Sequence, residues 1–118
     1  MLQFTLRLWQ IIFGIYVLII TVLATWPISL PEIPGGDKTN HIMAFAVMIV
    51  LIKQAWPKGH WMLHLLCCFL YGILIEVMQS FLPFRVASIG DIIADIVGIL
   101  IGKSAVIAYS AFAKPKKY

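Results

Sequence analysis

The few charged residues of this chain gather at or near the ends of long apolar segments, and that placement restricts it to a membrane fold. Nine Lys and Arg and five Asp and Glu stand among 118 residues, about half the share of charge that a soluble domain carries. With 62% hydrophobic residues and a mean hydropathy of +0.98, the polar side chains cannot cover a water-soluble globule. The net charge of +4 does not point to nucleic acid, because the basic residues form no patch with interleaved aromatics. They flank apolar segments instead, as a topology signal does.

Four such segments predict an all-α, four-helix transmembrane bundle with short loops, in one domain covering residues 1–118. The segments fall at about 8–26, 38–55, 61–82 and 89–112. The first has no charge over 19 residues, enough to span. It is read as an uncleaved span rather than a signal peptide, since it exceeds a usual signal core and no A-x-A site follows. Three prolines and two glycines in residues 27–36 cannot continue a helix. The second segment is the odd one. Its strictly apolar part, 42–52, covers only about 16 Å as a helix, roughly half the hydrocarbon thickness. To span, it must bring Asp37, Lys38 and His41 toward the membrane; alternatively it is re-entrant or the bilayer thins around it. In either case protein or water has to shield those side chains. The third segment stops at Pro83 and carries Glu76 and Gln79 near its far end. The fourth starts with Ser88 as an expected N-cap and Asp91 in its first turn, where the helix dipole favours an acid.

Four spans place both termini on one side. That side collects Arg7, Lys53, Lys58, Lys114, Lys116 and Lys117, and the other keeps Lys38, Arg85 and all five acids. The positive-inside rule then puts both termini in the cytoplasm and the acids at the extracytoplasmic side of a multi-pass cytoplasmic (inner) membrane protein. Trp9, Trp26, Trp56 and Trp61 lie at helix ends, as interfacial indoles do. His60 and His64 are expected at the cytoplasmic interface, and Cys67 and Cys68 are read as packing residues. Lys103 is well inside the fourth segment and either snorkels inward or pairs with an acid within the bundle.

This topology brings three segment ends to one level. Asp37 and His41 are four apart, and Glu76 and Gln79 three apart, so each pair shares a helix face. Asp91, Asp95, Gly98 and Gly102 follow one helical stripe, and the small-xxx-small pair Gly98 and Gly102 admits a close neighbour. The acids should therefore face the bundle interior. Four acids (Asp37, Glu76, Asp91, Asp95) against Lys38 and Arg85 leave two uncompensated negative charges. A partly buried site does not hold these readily, so an acid keeps its proton, His41 is cationic, or a cation binds. The residue types allow a divalent cation at His41, Glu76, Asp91 and Asp95, although no metal motif of the H-E-x-x-H kind is present.

These residues resemble the VanZ-like family of small membrane proteins. The likeness is D-K-x-x-H at Asp37, Lys38 and His41, E-x-x-Q at Glu76 and Gln79, P-x-R at Pro83 and Arg85, then Asp91, Gly98 and Gly102. It lies in the ordered set rather than in any one motif, and covers residues 37–102. One position departs: four residues after Asp91 the family pattern has Asn, and this chain has Asp95. The resemblance implies a helical membrane protein of the cell envelope and a link to reduced susceptibility to the glycopeptide antibiotic teicoplanin. It implies no particular reaction.

Each polar residue also has a structural reading. Asp37, Lys38 and His41 suit an interfacial helix start, and Glu76 with Gln79 suits a hydrogen-bonded clamp between segments three and four. Arg85 suits contact with phosphate headgroups. Asp91 suits a dipole partner, a reading that does not extend to Asp95 one turn deeper. Among functions, recognition of a polar headgroup ranks first. The ligand would be an envelope lipid, a lipid-linked cell-wall precursor or a glycopeptide, held by Asp37, Lys38, His41, Glu76, Gln79, Arg85, Asp91 and Asp95. An intramembrane acid/base or metal-assisted enzyme ranks second, with Glu76, Asp91, Asp95 and His41 as the catalytic candidates and no established catalytic motif. A carrier ranks third, because four short spans with only Lys103 in the inner half would have to oligomerise. A structural or assembly protein, whose polar cluster fixes only its own fold, is the remaining alternative.

Overall fold

In the computed structural model the chain forms four helices, α1 (Leu2–Thr25), α2 (Gly36–Ala55), α3 (Trp61–Ser80) and α4 (Ile89–Ala113), with no strand among the described residues. The structure describes residues 1–26, 36–83 and 88–113, and the side chains of all of these but Gly36 and Asp37. Arg85 and the basic residues Lys114, Lys116 and Lys117 fall outside the described residues.

The helix ends follow local chemistry. α1 begins six residues before the expected apolar run, so Arg7 lies inside the helix. Residues 2–7 contain no Gly or Pro to oppose helical propagation. α2 ends before Trp56-Pro57, where the proline disfavours helical backbone at the residue preceding it. The turn is closed by Gly59 N–H donating to the Trp56 carbonyl at 2.9 Å. His60 caps α3, its Nδ1 accepting from Met62 N–H at 3.0 Å. α3 stops at Ser80, short of the expected 82, as Phe81 and Leu82 N–H turn back to Met78 and Gln79 carbonyls. Ser88 caps α4 as expected, its Oγ accepting from Asp91 N–H at 3.2 Å.

Side-chain bonds fix the direction of each helix. Gln10, early in α1, donates to the Ala55 carbonyl at the end of α2. Gln79, late in α3, donates to the Ala24 carbonyl at the end of α1. His41, early in α2, meets Asp95, early in α4. The bundle is therefore up-down-up-down. The ends of α1 and α3 share one pole with the starts of α2 and α4.

Among the described residues, three helices are long and apolar enough to cross a membrane: α1, α3 and α4. The chain is a membrane protein on this ground. α2 falls outside this set, where a fourth span had been expected, because its polar ends leave only residues 42–52 strictly apolar. It packs against all three other helices and most extensively on α4, whereas the backbones of α1 and α4 stay apart among the described residues. Its stripe of Phe45, Met48, Ile49 and Ile52 is the core of the bundle, joined by Cys68 of α3 and Ile99 of α4. Burying one such side chain is worth roughly 1.5–3 kcal/mol against water, but against lipid that gain vanishes and packing and hydrogen bonds must hold the helices together. α1 has no buried residue. Its partly buried Phe13, Tyr16 and Val17 pack against that core, and polar links tie it further: Tyr16 Oη donates to the Ala44 carbonyl at 2.6 Å, and Thr21 and Tyr71 hydroxyls share a 2.5 Å bond.

Candidate functional site

The site begins with two glycines. Gly98 and Gly102 lie one turn apart on α4, and a Cβ on either would strike α2 backbone: Ile42 at Gly98 and Ala46 at Gly102. Their missing side chains let the two helices touch main chain to main chain, as small-xxx-small spacing predicts. The stripe that carries them also carries Asp91 and Asp95, so both acids are brought against the first turns of α2.

There His41 waits. Its Nδ1 lies 2.7 Å from Asp95 Oδ1, a hydrogen bond, and its Nε2 lies 4.0 Å from Asp91 Oδ2. The imidazole thus stands between two carboxyl groups. This is the shielding that a polar side chain on a short apolar helix requires. Asp95 is 1% exposed and Asp91 6%.

The third helix completes the cluster. Gly72 of α3 leaves the room that Asp95 fills, since a Cβ there would lie 2.8 Å from Asp95 Oδ2. One turn further along the same face is Glu76, 5% exposed. Glu76 Oε2 accepts the Ser88 N–H at 3.2 Å, which fastens α3 to the start of α4. His41, Glu76 and Asp95 each present a ligand atom, and the three lie within 4.8 Å of one another. Glu76 Oε1 and Asp95 Oδ2 are buried without a hydrogen-bond partner among the described residues.

Glu76 is also reached from the side of the bundle. A shallow groove opens between α3 and α4, with apolar walls of Ile73, Val77, Ile89 and Ile92. Its polar lining is Glu76, Ser80 and Ser88. Lys38 stands at the same pole, its ammonium 3.2 Å from where a Gly90 Cβ would be. Among the described residues it is the only Lys or Arg at this pole, because Arg7, Lys53, Lys58 and Lys103 all belong to the opposite half.

The expected residues therefore divide. His41, Glu76, Asp91 and Asp95 come together, with Lys38 beside them. Asp37 lies in the first turn of α2, its side chain outside the described set, and Arg85 lies wholly outside the described residues. Gln79 is a correction. It faces α1, donating to the Ala24 carbonyl at 2.9 Å, so it clamps α3 to α1 rather than to α4. The clamp between α3 and α4 is made by Glu76 alone of the pair. Gly72 and Gly90 were not expected to bear on the site. The signal for Gly72 was its position four residues before Glu76, on the same helix face.

At the opposite pole the histidines and Lys103 find their places. His64 was expected at the interface and is instead 3% exposed. Its Nε2 lies 3.0 Å from the Trp56 carbonyl and its ring packs over Gly59. The tight turn folds back across it, which segment boundaries alone could not reveal. Lys103 reaches inward to the Trp61 ring, 5.6 Å from its centroid, and Lys53 approaches the same ring at 4.8 Å. Of the two expectations for Lys103, pairing with an acid is not seen among the described residues, and the side chain turns to Trp61 at the pole opposite the acids. Cys68 is buried and Cys67 exposed, and they form no disulfide.

Among known families, the model described as VanZ/LLP1 matches residues 3–111. Comparisons with curated proteins and with solved structures find no match.

Proposed function

The chain belongs to the VanZ/LLP1 family, and from that premise we propose that it binds the polar headgroup of an envelope lipid or lipid-linked cell-wall precursor. The site lies at the extracytoplasmic face of the cytoplasmic membrane, the side assigned by the positive-inside rule. Occupancy there contributes to the response to teicoplanin-type glycopeptides. The observation that carries this reading is the lateral groove between α3 and α4. Its apolar walls suit an acyl or prenyl chain, and it leads to Glu76 and Ser88 beside the buried cluster. Lys38, and Arg85 in the connection before Ser88, supply positive charge for a phosphate. The planar fork of Arg85 suits two phosphate oxygens at once.

Native mass spectrometry of the detergent-purified protein tests it. A defined anionic lipid should remain bound to the wild type, and Lys38→Ala and Arg85→Ala should each release most of it. Equal lipid retention by wild type and the double variant would refute the reading. In cells, the same double variant should lose any effect of the wild type on teicoplanin susceptibility.

A second reading draws on the 2.7 Å His41–Asp95 bond beside Glu76. An imidazole oriented by one carboxyl group with another within reach is the arrangement of an acid/base pair. In that case Asp95→Asn or Glu76→Gln abolishes turnover of a lipid substrate while the fold and lipid retention persist.

A further inference from the structure

The two unpartnered carboxyl oxygens are the least explained feature of the bundle. Glu76 and Asp95 are 5% and 1% exposed. Each leaves one oxygen without a hydrogen-bond partner among the described residues. A buried ionised oxygen that neither water nor protein satisfies is costly. Both belong to one cluster in which His41, Glu76 and Asp95 offer ligand atoms within 4.8 Å of one another.

We infer that His41, Glu76 and Asp95 form a binding site for one divalent cation, with Asp91 as a further carboxylate at its edge. Three arguments converge on it. The first is charge. With His41 neutral as a ligand, Glu76, Asp91 and Asp95 exceed Lys38 by two negative charges. Adding Asp37 and Arg85 from the sequence leaves that difference unchanged. A divalent ion cancels it. The second is geometry. Tetrahedral ligands at about 2.0–2.2 Å from an ion lie about 3.4 Å apart. The widest pair of the cluster therefore closes by little more than an ångström, within reach of side-chain rotation. The third is support. Ser88 N–H already holds Glu76 Oε2, and Gly72 gives Asp95 Oδ2 its space. An outer hydrogen bond such as that from Ser88 orients a metal ligand.

The ligand types also choose among ions. One imidazole with carboxylates favours a first-row transition ion such as Zn²⁺ over Ca²⁺ and Mg²⁺, which take oxygen donors. At this place the ion would present an open position toward the groove, where a phosphate oxygen could complete its shell. That last link rests on the proposed headgroup reading, while the ion site itself rests on the cluster alone.

Titration calorimetry of the tag-free, lipid-stripped protein in detergent with zinc chloride tests the site. The Cys67→Ser background removes an exposed thiol as a competing ligand. One equivalent should bind, and zinc should raise the thermal midpoint. Glu76→Gln, Asp95→Asn and His41→Asn should each weaken binding at least tenfold, and His60→Ala should not. Glu76→Gln is the decisive variant, because its amide oxygen still accepts from Ser88 N–H and the fold is retained. Zinc binding unchanged in Glu76→Gln, binding lost equally in His60→Ala, or magnesium binding as tightly as zinc would each overturn the assignment. Anionic-lipid retention is measured separately with and without zinc. Zinc binding without lipid retention leaves the ion site standing and removes the headgroup reading, and lipid retention without zinc binding does the reverse.

Discussion

Replacing Gly98 with alanine adds one methyl group at the point where α4 lies closest to α2. The Cβ would meet the Ile42 carbonyl oxygen, with Ile42 C and Cα both at 3.0 Å. Relaxed carbon contacts lie at about 3.5–4.0 Å. All three obstacles are main-chain atoms, so no rotamer change removes them and the helices must part by a substantial fraction of an ångström. Overpacking of this kind costs about 1–3 kcal/mol, and a rigid backbone obstacle puts Gly98→Ala at the upper end. Better helix propensity returns about 0.8–1.0 kcal/mol, for a net loss of about 2 kcal/mol. Gly14 is the internal control. It has nothing within 4 Å of its Cβ position, so Gly14→Ala should keep the whole propensity gain. The two variants differ by one methyl group each and should separate by about 3 kcal/mol in equilibrium unfolding by denaturing detergent. Parting α2 from α4 at Ile42 also pulls on its neighbour His41, so Gly98→Ala should weaken zinc binding as well. Equal stability of the two variants would refute the claim that main-chain contact at Gly98 sets the helix spacing.

Glu76→Ala removes the acceptor of the Ser88 N–H and should cost about 1–3 kcal/mol. Glu76→Gln keeps that acceptor and should stay within about 1 kcal/mol of wild type by the same assay. Gln79→Leu loses the bond from α3 to the Ala24 carbonyl and should destabilise by about 0.6 kcal/mol, the average for such bonds in membranes. It should leave zinc binding unchanged, because Gln79 faces α1. Ser88→Ala removes the cap of α4 and should cost about 1 kcal/mol, seen as faster amide exchange over the first turn of α4. Trp61→Leu deprives Lys53 and Lys103 of the ring that both approach. The loss should be about 0.5–2 kcal/mol, and a double-mutant cycle with Lys103→Met should show that the two residues are coupled.

Much of the candidate site was legible because its signal is local. The 4-3-4 spacing of Asp91, Asp95, Gly98 and Gly102 depends only on the helical period, and the structure puts all four on the buried face of α4. Ser88 as a cap is equally local. Residues whose partners are remote in sequence were not legible in this way. Gln79 shares the buried face of α3 with Glu76 yet bonds to α1, because a face is broad enough to address two neighbours. His64 looked interfacial from its place beside Trp61 and is buried by the fold of the preceding turn.

The sequence by itself determined the class, the number of helices, and the pole at which the acids collect. Those follow from apolar length, breakers at Pro and Gly, and sparse charge, which act over a few residues at a time. Only the tertiary structure decided that α2, the least apolar helix, takes the centre. It also decided that Gly98 and Gly102 face α2, that Gly72 makes room for Asp95, and that His41 is held between Asp91 and Asp95. The rotation of one helix against another is set by contacts across the bundle. No periodicity within a single helix specifies which neighbour its stripe will meet.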